Sequence, residues 1–185
     1  MEDSCKVFVE IGSSDFDTLN DLATQGWHGV IVEPITSLID NIQPRHTNVH
    51  YVNKAISDKA GVRTMYTLEN YWQSDSDYKG MSRIDTPWNS WPKDAFTEHE
   101  VEAITFTDLC NMCNLPCITF LKIDTEGHDL VILNSITDVV WNGRWRPQII
   151  KVEHKHAGAK GIVELLKSKN YKVYKEQFDI YAISL

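Results

Sequence analysis

The chain has 185 residues, 42% hydrophobic and 24% charged, which suits a single domain over 1–185 with a sizeable core. Its formal net charge of −8 argues against nucleic-acid binding through a general positive field. No run of about 18 apolar residues could span a membrane, and the acidic residues 1–6 lack the basic head and apolar middle of a signal peptide.

The first element is Val7-Phe8-Val9-Glu10-Ile11-Gly12-Ser13-Ser14-Asp15. Its β-branched and aromatic residues suit a buried parallel strand. Gly12 permits a tight turn and a close backbone approach to a ligand, and Ser13, Ser14 and Asp15 are helix N-cap types. Residues 17–25 carry Leu19, Leu22 and Ala23 at helical spacing, with Gly26 as the stop. A second strand, Gly29-Val30-Ile31-Val32, ends in Glu33-Pro34. Glu33 lies 21 residues after Gly12, close to the roughly 20-residue gap between a glycine turn and a ribose-binding acid in a nucleotide-binding βαβ unit. One glycine is a weak fingerprint, and many α/β domains carry an acid at this place.

Ile35, Leu38, Ile39 and Ile42 share a helical face that Pro44 ends. Residues 48–56 read as a third strand, 57–61 as a turn and 62–68 as an extra edge strand. Periodicity is lost over residues 69–100, which hold Trp72, Tyr78, Trp88 and Trp91. So long an irregular stretch inside a domain points to a functional loop or lid. Its aromatics serve equally well as a wall for a flat substrate or as pins to the body.

Residues 101–106 read as a strand, and Thr107 caps a helix over 108–114. The strand 118–123 closes on Asp124-Thr125-Glu126-Gly127, and a helix follows over 129–136. A buried strand over 147–152 ends in Glu153-His154-Lys155-His156. A helix over 161–168 and a hairpin of 172–174 with 179–185 finish the chain. Cys5, Cys110, Cys113 and Cys117 lack the two separated pairs of a common zinc site, so buried thiols in a reducing cytoplasm are the expectation.

Alternating strands and helices imply an α/β, Rossmann-like fold: a mostly parallel twisted sheet with helices on both faces and an antiparallel strand near the C-terminus. Ligands in such sheets bind at the carboxyl ends of the strands. Ser13, Glu33, Asp58, Asp124, Glu153 and His154 all fall at such ends and should meet in one cleft.

With these elements in place, the chain resembles the FkbM-type methyltransferases, a branch of the class I S-adenosylmethionine-dependent fold. The most specific likeness is Lys122-Ile123-Asp124-Thr125-Glu126-Gly127, similar to that family's K-I-D-x-E-G signature. Val32-Glu33-Pro34, Ala55-Ile56-Ser57-Asp58, Gly80-Met81-Ser82 and Arg146-Pro147 through Glu153-His154 resemble further family elements. The first turn departs from the family's D-x-G-A-N-x-G: Glu10 replaces Asp, and Phe16 stands where the second glycine belongs.

The resemblance implies S-adenosylmethionine as cofactor. Gly12, Ser13 and Ser14 would lie along its carboxypropyl and ribose part, and Glu10 at its amino end. Glu33-Pro34 would meet the ribose hydroxyls, with Ile56, Ser57 and Asp58 at the adenine and Asp124 near the sulfonium. The bland alternative for Asp124 is a cap of the helix that follows. An acceptor hydroxyl needs a base, for which His154 beside Glu153 is the first candidate, with His128 and His156 behind it. A divalent ion on Asp124, Glu153 and His154 would serve instead; the residues assign no metal set. The resemblance suggests O-methylation of a sugar or another small hydroxyl compound; the acidic charge and the lack of an apolar span argue against nucleic-acid and membrane partners. The rivals are a non-catalytic nucleoside-binding module on the same fold and, more weakly, a nicotinamide oxidoreductase. The sequence is silent on oligomeric state.

Overall fold

The computed structural model describes residues 5–15, 18–71 and 76–185. Phe16 and Trp72, singled out above, lie outside these residues, as does the expected helix start at Asp17. The strands are β1 (Val7–Ile11), β2 (His28–Val32), β3 (Val49–Val52), β4 (Ala55–Ile56), β5 (Gly61–Thr67) and β6 (Arg83–Ile84), then β7 (Thr97–Ile104), β8 (Phe120–Ile123), β9 (Ile149–Glu153), β10 (Tyr171–Lys175) and β11 (Asp179–Ser184). The α-helices are α1 (Thr36–Asn41), α2 (Phe106–Met112), α3 (Asp129–Ser135), α4 (Asp138–Trp141) and α5 (Ala159–Ser168).

Seven strands form the main sheet in the order β10-β11-β9-β8-β1-β2-β3. Its five strands from β9 to β3 are parallel to one another, and β11 runs antiparallel to both β9 and β10. The antiparallel strand is therefore one place in from the edge, because the closing hairpin folds back between β9 and β10.

Side-chain alternation sorts the two faces. Val7, Val9 and Ile11 of β1 join Phe106 and Leu109 of α2, Ile132 and Leu133 of α3 and Ile162 and Leu166 of α5 in one core. Phe8 and Ile31 face the other way, onto Ala23 of the 3-10 helix Leu19–Gln25 and Ile39 of α1. Gly26 ends that 3-10 helix in the left-handed conformation, φ 80°.

Two expectations need revision. The third strand divides after Val52: β3 stays in the main sheet, while β4 joins a second sheet in the order β4-β7-β5-β6. β5 pairs antiparallel with β7 over seven residues, so the start of β7 lies within the stretch that shows no period in sequence. Its strand residues Thr97, Glu98, His99 and Glu100 are polar and half-buried or exposed, which hides it. Ile35, Leu38, Ala55, Met65, Ile84, Val101 and Ala103 give this sheet a small core of its own. The helix after β7 also begins earlier than expected. Thr105, not Thr107, caps it, through a reciprocal capping box with Asp108.

The cysteines differ from the expectation of free thiols. Cys5 and Cys117 form a disulfide, with Cα atoms 6.4 Å apart. The pairing is topological: β1 and β8 are parallel neighbours, so the residues just before them run side by side. Cys110 and Cys113 remain free and buried, and burial pushes the Cys110 thiol up to about 12. No helix among the described residues is long and apolar enough to cross a membrane.

Candidate active site

The carboxyl ends of β1, β2, β4 and β8 border one cavity, where ligands of open α/β sheets bind. Gly12 forms its floor. The Gly12 N–H donates to the Val32 carbonyl at 2.9 Å, and the Asp124 N–H donates to the Ile11 carbonyl at 2.9 Å. Gly12 has φ 80°, and a Cβ there would stand 1.9 Å from the Asp124 carbonyl oxygen. The first turn is thus pressed directly against the end of β8.

Glu33 organises the opposite wall. It is 4% exposed, and its carboxylate accepts the Ser14 N–H through Oε2 and the Ile35 N–H through Oε1, each at 2.9 Å. Burial outweighs these two donors and raises its pKa to about 7. A carboxylate oxygen has two lone-pair sites, so both oxygens keep capacity for hydroxyl donors from a ligand. Ser14 also lines the cavity, and its Oγ is buried with no hydrogen-bond partner among the described residues. Such an atom calls for a polar ligand group.

The raised pKa of Glu33 has a consequence for stability. The unfolded chain ionises Glu33 near 4.5 and the folded chain near 7. The folded state therefore holds this proton more tightly. The contribution is complete below about pH 4.5 and is lost as pH rises to about 7, a change of about 3 kcal/mol. Urea unfolding between pH 4 and 8 should show a decline to which the raised Asp124, Glu126 and Glu153 also contribute, and Glu33→Gln should reduce it by the Glu33 share while adding a pH-independent cost for one lost acceptor. An unchanged slope in the variant would mean that other groups cause the decline.

Of the residues expected at the cofactor, Gly12, Ser13, Ser14, Glu33, Pro34, Ile56 and Asp124 all line this cavity. Glu10, Ser57 and Asp58 do not. Glu10 points into the sheet face shared with Phe8: its Oε1 accepts from Lys122 Nζ at 2.9 Å, and its Oε2 from Thr18 Oγ1 at 2.6 Å and the Leu19 N–H at 2.8 Å. Ser57 donates to Asp58 Oδ1 at 3.0 Å, and Arg63 bridges Asp58 and Asp85 at 2.7 and 2.8 Å. The hydrogen bond from Ser57 is the main cause that holds the Asp58 carboxyl below its ordinary range.

Asp124 is not the helix cap. The N-cap of α3 is His128, which makes no side-chain cap bond, and the Asp129 carboxylate instead ties the preceding turn by accepting the Thr125 and Gly127 N–H groups at 2.9 and 3.0 Å. Burial raises Asp124 to about 6, with Lys122 opposing. His154 and Glu153 stand outside the lining, and His154 Nε2 lies 3.1 Å from the Glu176 carbonyl oxygen. The imidazole that lines the cavity is His128, with Nε2 3.0 Å from Ser57 Oγ. Burial holds its pKa below the usual histidine range, so the ring is neutral at pH 7.

The irregular segment supplies the cover. Lys79, Gly80, Ser82 and Ile84 line the cavity, and Lys79 Nζ reaches Asp15 Oδ2 of the first turn at 2.7 Å. Its described aromatics do not line the cavity, and of them Trp88 ties the segment to the body. Tyr71, Tyr78 and Trp91 pack edge to face with ring centroids 5.0–5.8 Å apart. Trp88 donates to the Met81 carbonyl at 2.8 Å and meets the His156 ring at 4.4 Å. Sequence reasoning missed Lys79, because no periodicity marks the segment that carries it.

A seven-stranded sheet with β11 inserted antiparallel, a glycine turn after β1 and a buried acid after β2 defines a Rossmann-like methyltransferase fold. The chain belongs to the methyltransferase FkbM domain family, an S-adenosylmethionine-dependent group, with the match covering residues 6–173. Among solved structures, it is similar to one described as a fibrillarin/Nop5p complex, with 10% identity, TM-score 0.49, 98% of this chain and 73% of that one covered. A human methyltransferase 10 domain containing protein follows at 11%, TM-score 0.45, with 99% and 73% covered. The N-terminal domain of human METTL16 in complex with SAH gives 12%, TM-score 0.41, with 97% and 60% covered. Comparison with curated proteins gives no significant match.

Proposed function

We propose that this chain transfers a methyl group from S-adenosylmethionine to a hydroxyl of a sugar or another small molecule. The observation that carries the cofactor side is the meeting of the Gly12–Ser14 turn, Glu33 and Asp124 around one cavity, with the Oγ of the lining residue Ser14 unpartnered among the described residues. Ser13 and Ser14 would hold the amino-acid and ribose portions, Glu33 the ribose hydroxyls and Ile56 the adenine face. S-adenosylmethionine, when bound, supplies a methyl group already activated on a sulfonium. The chain's own task is then alignment to roughly 3 Å and removal of a proton.

Asp124 sits where its carboxylate would face the cationic end of the cofactor. His128, neutral and within the cavity, is better placed than His154 to accept the hydroxyl proton. An uncharged polar acceptor suits a cavity whose walls combine Ser14, Ser82 and His128 with Ile56, Met65 and Ile84. The chain's acidity continues to argue against nucleic acid as acceptor. The Cys5–Cys117 disulfide favours an oxidising compartment over the reducing cytoplasm expected from sequence.

Calorimetry with S-adenosylhomocysteine is expected to show micromolar binding. Glu33→Ala should weaken it about 100-fold, the loss of two hydrogen bonds to an ionised group. Incubation with S-adenosylmethionine and a panel of monosaccharides should then release S-adenosylhomocysteine. Binding without turnover on any hydroxyl compound would favour the nucleoside-binding module, and binding of NAD instead would overturn the reading.

A further inference from the structure

Beside the cavity, Glu126, Glu153 and His156 come together from three places in the chain. Glu126 follows β8, Glu153 ends β9, and His156 lies three residues beyond it. One ligand atom from each lies within 4.8 Å of the others, and His156 Nε2 is 3.5 Å from Glu126 Oε2. Glu153 Oε2 is sealed from solvent and has no hydrogen-bond partner among the described residues. Asp124 and Asp129 add negative charge around the two carboxylates, and Lys155 is the cation acting on both. Trp88 packs edge-on against the His156 ring, which fixes its place.

We infer that Glu126, Glu153 and His156 bind one divalent transition-metal ion, of the Zn²⁺ or Mn²⁺ class. Two carboxylates and one imidazole are a mixed oxygen and nitrogen set that suits these ions. Three ligands are too few for Ca²⁺, which takes six to eight oxygens. Three protein ligands also leave open positions for water or an acceptor hydroxyl. Glu126 lines the cavity next to Asp124, so an ion held there would border the acceptor. This set differs from the Asp124, Glu153 and His154 grouping weighed from sequence. His154 is instead drawn toward the Glu176 carbonyl by its ring.

A metal-bound hydroxyl loses its proton near neutral pH far more readily than a free one. That role rests on the methyl-transfer reading, whereas binding of the ion does not. The test therefore uses the full chain without cofactor, titrated calorimetrically with Zn²⁺ alone and with Mn²⁺ alone. One ion per chain is expected, with affinity reduced at least about tenfold in Glu153→Gln and in His156→Gln. Glu164→Gln, on the exposed surface of α5, should bind as the original does. In the unaltered chain, Zn²⁺ should also move the His156 ring ¹⁵N resonance, a readout that needs no variant to fold. No binding at millimolar metal, binding unaffected by both substitutions, or an unmoved His156 resonance would overturn the inference.

Discussion

Lys122→Ala is expected to destabilise the fold by about 3–5 kcal/mol, the cost of stranding a buried charge. Lys122 and Glu10 stand opposite each other in the β1–β8 register, and their side chains are 4% and 0% exposed. Glu10 Oε1 takes the ammonium at 2.9 Å, while Oε2 is held by Thr18 and the Leu19 N–H. Removal of the ammonium leaves the buried Glu10 carboxylate without its counter-charge. Urea unfolding checks the loss directly. The double variant Glu10→Gln, Lys122→Met removes both charges at similar volume and should recover most of it. A single-variant loss under about 1 kcal/mol would show that the site relaxes to admit water.

Gly12→Ala should lose about 3 kcal/mol or more and abolish S-adenosylhomocysteine binding. Two costs combine at this residue. Its φ of 80° is a conformation that side chains disfavour, and its Cβ would fall 1.9 Å from the Asp124 carbonyl oxygen. Gly26 separates them, since it shares φ 80° but has nothing within 4 Å of a built Cβ. Gly26→Ala should therefore cost only the backbone term, about 1 kcal/mol. Equal losses at both glycines would mean that the contact with Asp124 is easily relieved. A stable Gly12→Ala chain with normal binding would remove the first turn from the site.

Much of the site was legible because strand ends can be read from sequence. A β-branched run followed by glycine, or by Glu-Pro, announces both a strand and the end where ligands gather. Gly12, Glu33 and Asp124 were found in this way, and they line one cavity. Glu10 shows the limit. It sits inside the first strand, and its direction depends on Lys122 being its neighbour 112 residues away. Glu126 and His156 were in view as motif letters, but their proximity depends on β8 and β9 being adjacent. The second sheet was missed for a different reason. Its strand β7 starts in polar, partly exposed residues that give no apolar alternation.

Local chemistry in the chain determined the alternation of strands and helices, the turns at Gly12 and Gly26, and the acid after β2. These follow from backbone freedom, side-chain branching and apolar spacing, all short-range properties. Tertiary structure alone decided that Glu10 would be buried with Lys122, that Cys5 would meet Cys117, and that Lys79 would clasp Asp15 over the cavity. Each joins residues distant in the chain. Such contacts are set by strand order and by the path of the covering segment, which no local pattern encodes.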